Sequence, residues 1–197
     1  VTVSGEKTTG IIIEAQGTRI DGVGGILGQA GPTRLRPSIA SMGAARSLPC
    51  KGVMSFDSDD LAKMEQSGML LDVIVHEMGH VLGIGTVWRH KARLVNAGTQ
   101  NPTFNGPAAR AEFSTLTGAS PQSVPVENAG GPGTRDSHWR ERAFGTELMT
   151  GWVSAPGIRN PLARLTVASL ADLGYTVSYD KADAYAKIEF AQALRES

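Results

Sequence analysis

The sequence predicts an α+β fold, with a small sheet in the first third of the chain and helices after it. Two short apolar runs have the length and residue types of strands, and two later segments have the 3.6-residue period of amphipathic helices. A chain of 197 residues is long enough for one domain with a substantial core, which a cleft can divide into two lobes. The many Gly (24) and Pro (10) residues indicate a loop-rich protein.

Both predicted strands lie in the first part of the chain. Residues 10–15, GIIIEA, are a β-branched run next to glycine, which is typical of a buried strand. A glycine-rich loop follows and leads into an extended segment near Ile26 and Leu27. Residues 51–57, KGVMSFD, alternate apolar and polar side chains, which predicts a second strand at an edge of the sheet.

Two helices are predicted directly after these strands. Asp57 or Ser58 can cap the first helix, which Gly68 interrupts. The second helix is MLLDVIVHEMGHVL, whose apolar residues recur at helical spacing. Gly83 follows it at the position where glycine ends helices in the left-handed conformation.

The rest of the chain is predicted to be loop with a few helices. Residues 96–136 are rich in Gly, Pro, Asn, Ser and Thr and form a long surface insertion, with one short helix at 108–116. Residues 164–174 form a helix with a glycine stop, and 175–179 form a short strand or extended segment. A terminal helix at 182–196 turns three side chains toward the body, those of Tyr185, Ile188 and Leu194.

Composition narrows the function classes. Lys plus Arg equals Asp plus Glu at 19 each, so no net field attracts nucleic acid or an anionic membrane. No apolar run approaches the length of a membrane span. The first ten residues lack a signal-peptide pattern, so such a segment is expected to be removed or to lie upstream. A single cysteine, Cys50, excludes an internal disulfide and is expected to be a buried thiol.

The pentapeptide HEMGH in the second helix has the pattern of a zinc site. Helical residues four apart share one face with Cβ atoms about 6 Å apart, so His76 and His80 can bind one Zn²⁺. Glu77 lies about 100° around the helix, where it can take a proton from zinc-bound water. Burying these groups without a partner costs on the order of several kcal/mol, which favours a metal. A catalytic zinc needs a third ligand, and His90 and His138 are the remaining histidines.

Two stretches together resemble a known family. HEMGHVLGIG, followed after a long insertion by SHWRERAFGTELMTG, resembles the leishmanolysin-like branch of the metzincin metalloproteases. Gly83 matches the glycine after the second histidine, and Thr86 stands where other metzincins have their third histidine. Because the leishmanolysin branch supplies that ligand after an inserted subdomain, the resemblance implies that His138 is the third zinc ligand. It also implies that Met149 is the Met-turn methionine, the apolar floor under the zinc.

The resemblance covers residues 20–185 and is strongest at 70–88 and 136–152. The chain departs from the family pattern in three ways. It cannot form the disulfides of the eukaryotic members. Gly151 stands where some metzincins have an additional tyrosine ligand, and the helix that opens a metzincin domain is not evident before Gly10.

The resemblance implies a secreted or cell-surface zinc metalloendopeptidase that cleaves proteins or peptides. In such an enzyme zinc would polarise the scissile carbonyl, and Glu77 would activate the attacking water and pass its proton to the leaving amine. The metzincin-type domain would have an N-terminal lobe, an insertion and a C-terminal lobe, at residues 1–83, 84–137 and 138–197.

The substrate is expected between the lobes, as an added strand on the predicted edge strand. Four residues of that strand are the candidates for this contact: Val53, Met54, Ser55 and Phe56. Trp152 and the residues up to Pro156 are expected to shape the pocket for the residue after the scissile bond.

A second resemblance concerns calcium. IDGVGGILGQAGP and SFDSDD resemble the glycine-rich loop and acidic turn that hold a structural Ca²⁺ in matrix metalloproteinases. Carboxylate and carbonyl oxygens are the ligands that Ca²⁺ prefers, which predicts a site formed by Asp21, Gly22, Gly24, Ile26, Asp57 and Asp60. Alternatively, the acidic residues only cap the following helix. Gln29 stands at a histidine of that family's structural zinc site, so no second zinc is expected.

Two other classes of function compete with the enzyme. A non-catalytic binding or adhesion module stabilised by zinc and calcium would have a closed metal site and no use for Glu77 as a base. A metal-free globular domain would leave His76 and His80 unexplained. The sequence indicates neither an oligomeric state nor a cleavage preference.

Overall fold

The computed structural model describes residues 1–3, 5–120 and 122–185, which form a mixed α/β structure, as the sequence predicts. The strands are β1 (Thr2–Val3), β2 (Glu6–Lys7), β3 (Ile12–Thr18), β4 (Gly28–Leu35), β5 (Pro49–Asp57), β6 (Leu94–Val95), β7 (Thr103–Phe104) and β8 (Val124–Pro125). The helices are α1 (Leu61–Gln66), α2 (Leu70–Leu82), α3 (Pro107–Thr117), α4 (Glu141–Phe144) and α5 (Arg164–Leu173), with 3₁₀ turns at Ala40–Ala45 and Tyr179–Lys181.

The chain divides into two compact units. The first consists of Val1–Thr86 and Ser154–Arg159, and the second of Val87–Val153 and Asn160–Ser197. The segment predicted as an insertion therefore groups with the chain that follows it. The division into lobes at residues 83 and 137 stays a prediction.

The main sheet of the first unit has the order β3–β5–β4, with β3 parallel and β4 antiparallel to β5. The prediction that residues 51–57 form an edge strand is wrong, because β5 pairs on both sides. Val53, for example, is opposite Glu14 on one side and Gly31 on the other. The main chain of this strand has no free edge to offer a substrate, which corrects the role predicted for Val53, Met54, Ser55 and Phe56.

The sequence indicates only the approach to β4, near Ile26 and Leu27, and not the strand itself. Its residues, GQAGPTRL, include two glycines and a proline and show no apolar alternation. Proline is compatible with an edge strand, where one side of the main chain has no ladder to complete. Within the described residues β4 pairs with β5 alone, so Pro32 fits the observed position.

Helix α2 packs against β4 and β5, and a glycine sets how closely it does so. A Cβ atom at Gly52 would lie 2.4 Å from Cγ1 of Val81 and 2.9 Å from the carbonyl oxygen of Gly31. Only a residue without a side chain allows the helix this close approach. The core around this contact is formed by buried side chains of β5, α1 and α2: Met54, Phe56, Met64, Val73 and Val81.

The predicted end of α2 is confirmed, and the predicted start of α1 is wrong. Helix α2 ends at Gly83 as predicted, with a left-handed φ of 115° and an N–H that donates to the carbonyls of Gly79 and His80. Helix α1 begins later than predicted, at Leu61, after Asp60. Neither Asp57 nor Ser58 is therefore its cap.

The second unit is built around buried aromatic side chains. Trp88 and Trp139 stack with ring centroids 4.8 Å apart, and Phe104 lies 5.1 Å from Trp88 and 5.5 Å from Trp139. The short helix predicted at 108–116 is present as α3, and the small sheet β6–β7–β8 beside it has no clear signal in the sequence.

Helix α3 begins against a side chain from elsewhere in the unit. The carboxylate of Asp172, at the end of α5, accepts the N–H groups of Ala108 and Ala109, each at 2.9 Å. These two hydrogen bonds satisfy two of the amides that a helix leaves unpaired at its N-terminus. A Cβ atom at Gly106 would lie 2.2 Å from that carboxylate, so glycine leaves room for it.

The C-terminal predictions are partly outside the described residues. Residues 175–179 form no strand, and a 3₁₀ turn begins at Tyr179. Most of the terminal helix predicted at 182–196, with Ile188 and Leu194, lies outside the described residues, while the hydroxyl of Tyr185 donates to the carbonyl of Phe144.

Among the described helices none has both the length and the apolarity needed to cross a bilayer.

Candidate metal centre

Helix α2 directs two imidazoles toward one point. The Nε2 atoms of His76 and His80 lie 3.0 Å apart, and the two rings are nearly perpendicular at 80°. Two ligands of a tetrahedral zinc at 2.0–2.1 Å are separated by about 3.3 Å. The spacing of this pair therefore fits a shared metal ion within a few tenths of an ångström.

A main-chain carbonyl sets the tautomer of His80. Its Nδ1 lies 3.0 Å from the carbonyl oxygen of Ile84, which can only accept a hydrogen bond. Nδ1 therefore carries the hydrogen, and Nε2 presents its lone pair toward His76. The left-handed turn at Gly83 is what brings Ile84 back against the histidine. Such a bond to the second nitrogen is typical of metal-binding histidines.

Glu77 is enclosed beside this pair. Its side chain is 4% exposed, and its Oε2 has no hydrogen-bond partner among the described residues. Burial raises the pKa of this carboxyl to about 8. A buried carboxyl oxygen without a hydrogen-bond partner lowers the stability of the fold.

In the second unit, His138 is held in a similar way. Its Nδ1 lies 3.1 Å from the carbonyl oxygen of Thr134 and 3.2 Å from Oγ of Ser137. The Ser137 hydroxyl donates its hydrogen to the carbonyl of Gly133 at 2.6 Å, so it too can accept from the histidine. Nδ1 therefore carries the hydrogen, and Nε2 is the nitrogen available to a metal.

The three predicted histidines form a group that could hold a metal ion. The candidate ligand atoms of His76, His80 and His138 all lie within 4.8 Å of one another. His90, whose basic neighbours in the sequence predict a solvated surface position, is exposed and is not part of this group. Three neutral imidazoles are a donor set that suits zinc.

Met149 lies in a buried turn that contacts Trp139, the residue after His138. Its side chain is fully buried, its carbonyl accepts the N–H of Trp139 at 2.9 Å, and Thr150 forms a bridge with the same tryptophan. These contacts are those of a core methionine. Its function as the floor of a metal site stays a prediction.

Glu147 is a residue whose importance the sequence did not reveal. This fully buried carboxyl accepts N–H groups from Met149 at 2.6 Å and Ala163 at 3.1 Å, and the hydroxyl of Thr166 at 2.5 Å. Thr166 in turn accepts the indole N–H of Trp139 at 2.7 Å. Glu147 thus connects the Met149 turn, the first turn of α5 and the residue after His138. A glutamate within the otherwise apolar ELM stretch was its only signal.

The carboxylates predicted to bind calcium have main-chain donors in the structure. Oδ2 of Asp57 accepts the N–H groups of Ile20, Asp21 and Gly22 at 2.8–3.0 Å, and Oδ1 accepts that of Asp59 at 2.9 Å. These bonds, that from Asp59 first, lower the pKa of Asp57 to about 2.

The other two carboxylates of the predicted calcium set follow the same pattern. Asp60 accepts the N–H of Gly24, and Asp21 accepts that of Ile26. These hydrogen bonds tie the glycine-rich loop to the end of β5. Calcium coordination, including the carbonyls of Gly22, Gly24 and Ile26, stays a prediction.

Two further predicted residues differ in their surroundings. Trp152 is 48% exposed, so its side chain is accessible to a ligand. Its place in a substrate pocket stays a prediction. Cys50 is fully buried within β5, and its thiol donates to the carbonyl of Arg34 at 3.5 Å. The prediction of a buried thiol is confirmed.

A helix with paired histidines and an adjoining glutamate, together with a third histidine in reach, defines the class of metal-dependent peptidases. Comparison with known proteins gives the particular family. The leishmanolysin family model matches residues 40–191. Because this match covers most of the chain, the protein belongs to the leishmanolysin family of peptidases.

Individual relatives agree with this membership. The chain is 27% identical over 146 residues to the ciliated left-right organizer metallopeptidase of Xenopus laevis, which covers 64% of this chain and 20% of that protein. It is 41% identical over 64 residues to leishmanolysin-like peptidases of Caenorhabditis elegans and Caenorhabditis briggsae, which covers 32% of this chain and 9% of each relative. The chain thus spans a fifth or less of the length of the curated relatives that it matches.

The buried Glu147 leads to a pH-dependent prediction. Burial, opposed by the hydrogen bonds from Thr166, Met149 and Ala163, raises its pKa from 4.5 to about 7. A raised folded-state pKa stabilises the fold below the unfolded value, and that stability is lost as pH rises through the folded value. Between pH 4.5 and about 7 the free energy of unfolding should therefore fall by about 3 kcal/mol relative to Glu147→Gln.

Urea unfolding of both proteins across this range measures the difference. Glutamine has one acceptor oxygen where glutamate has two, so it cannot accept all the hydrogen bonds from Met149, Ala163 and Thr166. The variant should therefore be less stable by an offset that does not change with pH. All other groups are the same in both proteins, so their contributions cancel in the comparison. A difference that stays constant from pH 4.5 to 7.5 would contradict the raised pKa.

Proposed function

We propose that this chain is the catalytic domain of a zinc metalloendopeptidase, with His76, His80 and His138 as zinc ligands and Glu77 as the general base. The observation that carries the proposal is the convergence of three imidazoles, on a helix that also carries a buried carboxyl whose Oε2 has no hydrogen-bond partner among the described residues. Membership of a peptidase family supports the same reaction.

The histidines suit zinc in number and in the nitrogen that they direct toward one another. His80 and His138 both donate from Nδ1 to a main-chain carbonyl, which leaves Nε2 as the ligand atom. Three protein ligands leave the fourth tetrahedral position for water or substrate, as in catalytic zinc sites. When bound, zinc supplies a Lewis acid that makes water more acidic and polarises the scissile carbonyl.

Glu77 supplies the proton transfers. Its carboxylate is one residue from His76, on an adjoining part of the helix surface, and is shielded from bulk solvent. In the proposed reaction an oxygen of this carboxylate removes a proton from the attacking water. The same oxygen then gives the proton to the nitrogen of the leaving amine, so the base is regenerated at the end of each cycle.

The substrate strand is proposed to be β4 and not β5. Both β3 and β4 pair with β5 alone among the described residues, so each has a main-chain edge that a peptide can extend. The contact with Glu77 distinguishes them, because Gly28 in β4 adjoins the carboxylate. A peptide added along β4 would bring its main chain past the general base.

Several parts of the proposal rest on the family resemblance. They are the Met-turn role of Met149, the pocket formed by Trp152 to Pro156, the two-lobed arrangement, and a secreted or cell-surface location. Protein or peptide substrates follow from the peptidase family. The activity and partners of the whole protein are proposals as well, since the relatives are far longer than this chain.

Zinc stoichiometry tests the ligand set. Metal analysis of the purified protein should find one zinc per chain, and His138→Ala should lose most of it because two ligands bind far more weakly than three. His90→Ala, at an exposed histidine outside the group, is the matched control and should keep its zinc. Loss of zinc in His90→Ala with retention in His138→Ala would show that the third ligand is misassigned.

Glu77→Gln separates an enzyme from a binding module. Glutamine keeps the size of the side chain but cannot accept the proton, so peptide cleavage should fall by about 10²–10⁴-fold. Zinc content should be unchanged because the residue is not a proposed ligand. Cleavage of a peptide library is the measurement. Absence of cleavage in the zinc-loaded wild type would favour the non-catalytic module, and equal cleavage in both proteins would require another base.

Calcium binding in the glycine-rich loop is tested by melting the zinc-loaded protein in calcium and in EGTA. Calcium should raise the melting temperature of the wild type by mass action. Asp57→Asn should melt lower even in EGTA, because it weakens four main-chain hydrogen bonds that need no cation. A wild type that melts at the same temperature in both conditions would leave Asp57 with the structural role alone.

A further inference from the structure

Gly28, the first residue of β4, lies against the side chain of Glu77. A Cβ atom built at this glycine would be 2.8 Å from Oε1, 3.0 Å from Cδ and 3.0 Å from Cγ of the glutamate. Carbon atoms in contact normally lie about 3.5–4.0 Å apart. Even the smallest side chain at residue 28 therefore requires movement of about half an ångström or more.

The main chain around this contact has little freedom to move. Gly28 is paired with Phe56 of the central strand, so β4 cannot retreat without breaking its ladder. Helix α2 is in close contact with the same sheet through Val81, at Gly52. The part that can yield is the Glu77 side chain itself, since its χ angles are the softest coordinates at this contact.

The backbone conformation is not what requires glycine at residue 28. Its φ lies outside the left-handed region, so an alanine would be sterically allowed by the main chain. Gly31, three residues further along β4, would bring a Cβ atom no closer than 3.7 Å to Cγ2 of Thr86. The two glycines of GQAG look equivalent in the sequence, but only Gly28 is limited by the carboxylate.

We propose that Gly28 is a positioning residue, whose lack of a side chain holds the Glu77 carboxylate in its reactive conformer. The proposal rests on the proposed function of Glu77 as general base. A carboxylate displaced by a methyl group would reach the attacking water at the wrong distance or angle. A misplacement of about 1 Å is enough to lower a catalysed rate by about 10²-fold.

Gly28→Ala tests this role, with Gly10→Ala as control. A Cβ atom at Gly10 would have Thr8 Oγ1 as its nearest neighbour, at 3.9 Å, so that variant should behave as wild type. Gly28→Ala should lower kcat by about 10- to 100-fold, leave zinc content unchanged, and affect KM much less. Cleavage equal to that of wild type would overturn the proposal.

A stability cycle identifies Glu77 as the contacting group without using activity. Gly28→Ala should lower the melting temperature in the wild-type background but not in a Glu77→Ala background, where the truncated side chain leaves room for the methyl group. Gly52→Ala is the matched control, because a Cβ atom at residue 52 would clash with Val81 and not with Glu77. This variant should therefore lower the melting temperature in both backgrounds. Equal losses for Gly28→Ala in both backgrounds would refute the contact.

The two experiments also separate this proposal from the proposed function. A zinc-loaded wild type that cleaves no peptide would remove the function of Glu77 and with it the positioning role. A wild type that cleaves, together with an unaffected Gly28→Ala, would refute the positioning role alone.

Discussion

Helix α2 lies on its sheet at a distance that only residues without side chains permit. Gly52 allows Val81 to meet the central strand, and Gly28 leaves the space that the Glu77 side chain occupies. The geometry of the rest of the site depends on this close packing of the helix on the sheet. The close packing restricts the position of the helix on the sheet, and the Glu77 side chain is 4% exposed. The same packing excludes larger residues from two positions of an otherwise simple sheet.

Main-chain carbonyls help to orient two of the histidines, His80 and His138. Ile84 and Thr134 each offer a carbonyl to an Nδ1, and each carbonyl is placed by a turn. For His80 that turn depends on the left-handed conformation of Gly83. Carbonyl acceptors carry no net charge, so they would not offset the positive charge of a metal bound at these histidines. Substitution of the residues that carry these carbonyls would not remove the acceptors, only displace them.

Local rules accounted for the part of the site that lies on one helix. The spacing of His76 and His80 and the stop at Gly83 follow from helical geometry, so the sequence was sufficient for them. Position within the sheet was not predictable in this way. Residues 51–57 have the alternation of an edge strand yet lie at the centre, because strand order depends on partners far along the chain. Glu147 was missed for the same reason, since its partner Thr166 is 19 residues away.

The bond from Asp172 to the start of α3 makes one helix dependent on another. Asp172 lies in the last turn of α5 and accepts a hydrogen bond from the main-chain N–H of Ala108, 64 residues earlier in the chain. Helix α3 has no capping side chain of its own at Gly106, and a helix of its length is marginal in isolation. The segment that carries α3 is therefore not an autonomous folding unit. During synthesis it emerges before its cap exists, and its amides should exchange with solvent until α5 has formed, after which the two helices open and close as a single cooperative element.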